Sequence, residues 1–114
     1  MKYLLCKTTQ LDASRGFELE LNGQDLSLFL IRDQSTIRAY LNRCPHTGVE
    51  LNWLPDQFLD LDGQFIQCAT HDARFRLQDG YCVVGPCAGQ SLQALSVNIE
   101  DGEIYLQLPN PRPN

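Results

Sequence analysis

Two short segments constrain this chain more than anything else in it: Cys44-Pro45-His46 and Cys68-Ala69-Thr70-His71. They read Cys-x-His and Cys-x-x-His, with 21 residues between them. The chain has only two histidines, and each lies in one of these segments beside a cysteine. At such spacings a single loop tip can present both of its side chains to one metal centre.

Two thiolates and two imidazoles can hold a zinc ion tetrahedrally. The same four ligands can hold a two-iron, two-sulfide cluster in which two cysteines bind one iron and two histidines the other. Unrelated cysteines and ordinary loop histidines are the third alternative. The neighbouring residues favour iron. Cys44-Pro45-His46-Thr47-Gly48, Cys68-Ala69-Thr70-His71-Asp72-Ala73-Arg74-Phe75, Asp79-Gly80 and Gly85-Pro86 together resemble the Rieske [2Fe–2S] domain family, most of all its small soluble low-potential ferredoxins. The resemblance implies one Rieske-type cluster per chain, with Cys44 and Cys68 on one iron and His46 and His71 on the other. It implies no catalytic acid, base or nucleophile. It also implies that Gly85-Pro86 forms a loop covering the cluster from a third side. Pro45 stiffens the first ligand loop and removes one backbone donor.

High-potential members of the family carry an extra cysteine in each ligand loop, and a serine and a tyrosine after the second ligand pair. The corresponding residues here are Val49, Thr70, Ala73 and Phe75. The resemblance therefore implies the low-potential branch, which serves oxygenases and related reductases. The chain departs from the pattern twice. Asp72 stands where the family has glycine, and the spacer is several residues longer than usual. The extra length falls in Trp53 to Gly63, whose apolar side chains either pack over the base or form a contact patch near the cluster.

A chain of 114 residues reads as a single domain, 1–114, with a cluster-binding subdomain at about 43–87. The net charge of −5 disfavours nucleic acid and anionic membrane as partners and permits docking on a basic protein. No apolar run reaches the roughly eighteen residues of a membrane span, and the first six residues are too short for a signal peptide. A cytoplasmic location follows as the expectation. Of the five cysteines, Cys6, Cys82 and Cys87 remain outside the ligand set; a reducing compartment disfavours a disulfide framework, and Cys82 and Cys87 are either a pair across the turn or, the preferred reading, two free thiols.

Asn22-Gly23, Asp62-Gly63, Asp79-Gly80 and Asp101-Gly102 punctuate the chain with turn dipeptides. Between them lie stretches of strand length: 3–6, 17–21, 26–31, 37–41, 81–84, 92–99 and 103–108, with 65–68 and 73–77 flanking the second ligand loop. Residues 49–58 have room for a short helical turn. The expected fold is all-β: a Rieske-like base of antiparallel strands with the small cluster-binding subdomain inserted. The expected function is that of a one-electron carrier, a monomer when free, between a flavin reductase and a terminal oxygenase or another reductase. Two alternatives stay open, a small cluster-bearing subunit of a larger oxidoreductase and a zinc-stabilised binding module without redox activity.

Overall fold

Turn dipeptides and short apolar runs alternate along this chain, and strands are what they build. The computed structural model describes residues 2–21, 23–45, 48–52, 54–69 and 73–108. The strands are β1 (Lys2–Lys7), β2 (Ser14–Leu21), β3 (Gln24–Asp33), β4 (Thr36–Leu41), β5 (Phe65–Gln67), β6 (Arg74–Arg76), β7 (Cys82–Val84), β8 (Ala94–Glu100) and β9 (Glu103–Gln107). Among the described residues the helical structure is a single 3-10 turn, Thr8–Gln10. No helix among them is long and apolar enough to cross a membrane.

The strands form a six-stranded sheet in the order β1-β9-β8-β4-β3-β2 and a three-stranded sheet in the order β5-β6-β7. All pairings are antiparallel. The small sheet is inserted between β4 and β8, so the expected all-β base with an inserted unit is the observed fold. The Asp101-Gly102 turn joins β8 to β9 with both residues at positive φ, +52° and +75°. That conformation matches the twist of the flanking strands, and Asp-Gly tolerates it.

Burial explains the strand patterns. In β2, Phe17, Leu19 and Leu21 are half-buried while Glu18 and Glu20 are exposed, the alternation of a strand with one wet face. In β3, Leu28 to Ile31 are all fully buried, because both faces of this strand are covered. Leu30 joins Leu5, Phe17, Ala39, Leu95 and Ile104 in a core to which all six strands of the large sheet contribute. Phe29, Ile31 and Tyr40 face the insertion and join a second core with Leu51, Phe58, Ile66, Phe75 and four cysteines.

The long spacer is anchored to the base by Phe58. Its ring stacks on Phe29 at 4.4 Å between centroids and 7° between planes. Gly16 makes room for it, since a Cβ there would lie 3.0 Å from Phe58 Cζ. The Gly16 N–H donates to Asp56 Oδ1 at 2.8 Å, and the Ser14 hydroxyl donates to the Asp56 carbonyl at 2.6 Å. Packing over the base is thus realised by Phe58, while Leu54 and Leu61 stay exposed. Trp53 lies outside the described residues.

Two local expectations differ from the structure, and one feature of the structure was not expected. Residues 49–52 and 54–58 form bends and turns and no helical turn. The Leu51 N–H donates instead to the side chain of Asn42 at 2.9 Å. The strand expected from Leu92 begins at Ala94. Leu92 is held back in the second core, and its N–H donates to the Gly80 carbonyl at 2.9 Å. The 3-10 turn at Thr8–Gln10 had no sequence signal. The proline-rich tail, 109–114, and Asn22 lie outside the described residues.

Tyr40 pins the small sheet to the large one, its hydroxyl donating to the Leu77 carbonyl at 2.6 Å. Burial pushes its phenol from about 10 up to about 12. The folded state therefore holds this proton more tightly than the unfolded chain. The contribution is complete below pH ~10 and is lost as pH rises through ~12, about 2–3 kcal/mol in all. Denaturant titrations should show this fall between pH 10 and 12, and Tyr40→Phe should flatten it. An equally steep fall in Tyr40→Phe would assign the alkaline loss to another group.

Candidate metal centre

The two ligand loops are built alike. In the first, which follows β4, the Cys44 N–H donates to the Val49 carbonyl at 2.7 Å. In the second, between β5 and β6, the Cys68 N–H donates to the Ala73 carbonyl at 2.9 Å. Each loop is therefore a six-residue tip that opens on a cysteine and closes with the same backbone bond. Gly48 turns the first tip at φ +79°, and its N–H donates to the Cys44 carbonyl at 2.8 Å. A further bond, from the Ala69 N–H to the Leu51 carbonyl at 2.8 Å, ties the second loop to the chain leaving the first.

Cys44 and Cys68 are both buried and belong to the same core. The structure thus brings together the two sequence-predicted thiol ligands. His46, His71, Thr70 and Asp72 lie outside the described residues. In the sequence His46 falls between Cys44 and Val49, and His71 between Cys68 and Ala73. Among the described residues no cluster of three or more histidine, cysteine or acidic side chains is arranged to hold a metal.

A third loop closes on this pair. Gly85 has φ +105°, and a Cβ there would lie 2.8 Å from Ala73 Cα and 3.0 Å from Ala73 Cβ. Its backbone thus rests on the closing residue of the second tip, an approach open only to glycine. Cys82 and Cys87 flank this loop, both buried, with their sulfurs 3.0 Å apart. None of the five cysteines is in a disulfide, and Cys6 sits apart in the other core. Burial first, then the neighbouring Cys82 and Cys44, push the Cys87 thiol up to about 12, so it keeps its hydrogen at neutral pH.

Asn42 is the supporting residue that the sequence did not disclose. It is buried, accepts the Leu51 N–H at its Oδ1, and donates from Nδ2 to Ser27 Oγ at 3.2 Å and Asn52 Oδ1 at 3.0 Å. It fixes the exit of the first tip to β3. Asp56 and Asp60, which lie near the loops in sequence, are used structurally. Asp56 accepts from Gly16, and Asp60 from the N–H groups of Gln64 and Phe65 at 3.0 and 3.3 Å. Apolar side chains rim the loops instead: Val49, Leu54 and Val84 are exposed. A shallow depression lined by Leu54, Leu59, Leu61 and Ala69 borders the second tip.

These residues fit a two-iron, two-sulfide group. Two soft thiol donors lie in a dry core, as one iron requires, and each is followed in the sequence by a histidine, two residues on for Cys44 and three for Cys68. The glycine cradle at Gly85 keeps the third loop close to them.

The family model for the Rieske [2Fe-2S] domain matches residues 1–105. No curated protein sequence matches the chain. Among solved structures, the ferredoxin of carbazole 1,9a-dioxygenase from Nocardioides aromaticivorans IC177 is similar over 93% of this chain and 96% of its own, with a TM-score of 0.71 and 21% identity. The terminal oxygenase of carbazole 1,9a-dioxygenase from Novosphingobium sp. KA1 is similar over 99% of this chain, with a TM-score of 0.72 and 21% identity. This chain spans 31% of that oxygenase chain. At these identities the likeness is one of fold.

Proposed function

The chain belongs to the Rieske [2Fe–2S] domain family, and from that premise we propose that it is a one-electron carrier whose cluster is held by Cys44, His46, Cys68 and His71. The observation that carries this reading is the burial of Cys44 and Cys68 in one core, each at the start of an identically closed tip. A Rieske cluster supplies a one-electron couple, raised in potential because two neutral imidazoles replace two thiolates. The chain's own part is to hold the thiols dry, present the histidine tips, and keep the Gly85-Pro86 loop against Ala73.

The electron donor in this reading is a flavin reductase, and the acceptor a terminal oxygenase or another reductase. The ferredoxin fold likeness supports the carrier role, and the carrier in this reading is a monomer when free. The exposed Val49, Leu54 and Val84 support docking close to the ligand tips. Residues 1–114 act as one domain with the cluster-binding subdomain at about 43–87. Cys6, Cys82 and Cys87, buried and outside any disulfide, are consistent with work in the reducing cytoplasm. The likeness to part of an oxygenase chain favours a second reading, a cluster subunit held permanently in a larger oxidoreductase. A sizing column run on the native protein separates the two.

Ala73 and Phe75 are fully buried where hydroxyl donors would raise the potential. The potential should therefore lie near the low end of the Rieske range, about −150 mV. A hydrogen bond that strengthens by about 1 kcal/mol on reduction is worth roughly 40 mV. Ala73→Ser and Phe75→Tyr should each move the potential up by about that much. The function is tested by stopped-flow mixing, with reduction of the purified protein by a flavin reductase and reoxidation by a terminal oxygenase. Failure of both transfers, or a potential well above zero, would overturn the oxygenase-type assignment.

A further inference from the structure

Cys82 and Cys87 have no part in the ligand set, and the fold sets them against each other. Their sulfurs lie 3.0 Å apart across the loop that carries Gly85-Pro86. A bridge between Tyr81 and Ser91 closes this arch of chain at its base. Within the arch Cys82 and Cys87 alone are buried, and every other residue from Tyr81 to Ser91 is exposed. The Cys82 N–H donates to the Gln90 carbonyl at 2.8 Å, and the Gly89 N–H donates to the Cys82 carbonyl at 3.2 Å. The Gln90 N–H donates in turn to the Cys87 carbonyl at 2.9 Å. Both cysteine backbones are thus tied to Gln90, which fixes how far apart their sulfurs can stand.

Disulfide sulfurs stand about 2.05 Å apart, so this pair is about 1 Å from bonding distance, a travel that side-chain rotation can supply. The bond would close a ring from Cys82 to Cys87 with Gly85-Pro86 inside it. Gly85 is the residue whose backbone rests on Ala73 of the second tip. We propose that Cys82 and Cys87 form a reversible disulfide, with a peroxide as oxidant, that staples the Gly85-Pro86 loop in place. The dithiol is the resting state in a reducing compartment, where disulfides are transient and redox-sensing. One thiol attacks the peroxide. An S–O bond forms, the O–O bond breaks, and water leaves a sulfenic acid behind. The second thiol attacks that sulfur. The S–S bond forms, the S–O bond breaks, and a second water leaves. The pair has then passed two electrons to the peroxide. The thiolate is the reactive form of cysteine, and a dry core suppresses it. Reaction therefore waits for the arch to lift, which a short, exposed segment does at low free-energy cost. Cys6 lies in the other core, away from the other four cysteines, so its oxidation has no thiol at hand to resolve it.

The test adds one equivalent of hydrogen peroxide to the cluster-bearing protein, alkylates the remaining thiols in denaturant, and maps the cysteines by mass spectrometry. The expected result is a peptide holding Cys82 and Cys87 that has lost two hydrogens and takes up no alkylating agent. Dithiothreitol should return both thiols, and the iron and acid-labile sulfide content should stay unchanged through the cycle. Peroxide consumed without a bond between Cys82 and Cys87, or a bond that appears only as iron leaves, would overturn the proposal. Cys87→Ser removes the resolving thiol, so oxidation should stop at a sulfenic acid on Cys82 that dimedone traps. An equal yield of trapped Cys82 in the wild type would overturn it as well. A second measurement needs no variant. The N–H groups of Ala88, Gly89 and Gln90 donate within the arch, to the carbonyls of Gly85, Cys82 and Cys87. Their exchange with solvent deuterium should be about tenfold slower in the disulfide form than in the dithiol form. Equal exchange in the two forms would refute the staple.

Discussion

Alanine at Cys44 or at Cys68 should abolish binding of iron and acid-labile sulfide, while Cys6→Ala, Cys82→Ala and Cys87→Ala should keep both. The reason lies in where the thiols stand. Cys44 and Cys68 open the two matched tips that also contain the histidines. Cys6 belongs to the core on the far side of the large sheet. Cys82 and Cys87 are closer, but no histidine accompanies either, and the Cys82 S–H is taken by the Val84 carbonyl. Losing Cys44 or Cys68 takes away one of the two thiolates that a Rieske cluster needs, and should remove the cluster rather than weaken it. Metal and sulfide analysis of the five purified variants is the check. A cluster kept in Cys44→Ala, or lost in Cys87→Ala with the fold intact, would break the assignment.

Phe58→Ala should be the most destabilising single truncation in the spacer, costing about 3–5 kcal/mol. Phe58 is fully buried, stacks on Phe29, and fits over Gly16 too closely for the neighbours to fill its space without moving β2. The same ring shares a core with Cys44 and Cys68, so the variant should also release its cluster faster. Phe58→Leu keeps part of the contact and should cost less. Urea unfolding of the three proteins measures this. A loss under about 1 kcal/mol in Phe58→Ala would mean that the spacer is not anchored where the stacking places it.

The strands were legible because their signals are local. Turn dipeptides mark the ends, alternation in β2 reports one wet face, and the unbroken run in β3 reports two covered ones. Cys44 and Cys68 stand out as candidate ligands because their spacing to histidine is itself a chemical statement. What escaped the sequence depends on residues that meet only in space. Nothing near Phe58 announces Phe29 or Gly16. Asn42 reads as a turn residue after a strand until its four polar neighbours are seen around it. Asp56 and Asp60 read as surface charge near the loops, whereas their carboxylates hold backbone N–H groups. Leu92 reads as the start of a strand because it is apolar, but a buried place in the second core takes precedence over pairing. Cys82 and Cys87 read as spare thiols, and only the fold sets their sulfurs 3.0 Å apart in the core that also holds Cys44.

The central claim is that the cluster takes two thiolates and two imidazoles, and the second core contains a real rival. Cys44, Cys68, Cys82 and Cys87 all lie in it, enough sulfur for an all-cysteine ligand set. Pulsed electron paramagnetic resonance of the reduced protein decides between them. The expected result is hyperfine coupling to two directly bound imidazole nitrogens, one from each of the chain's two histidines. A reduced cluster with no bound nitrogen would contradict the claim and assign the ligands to the four core cysteines.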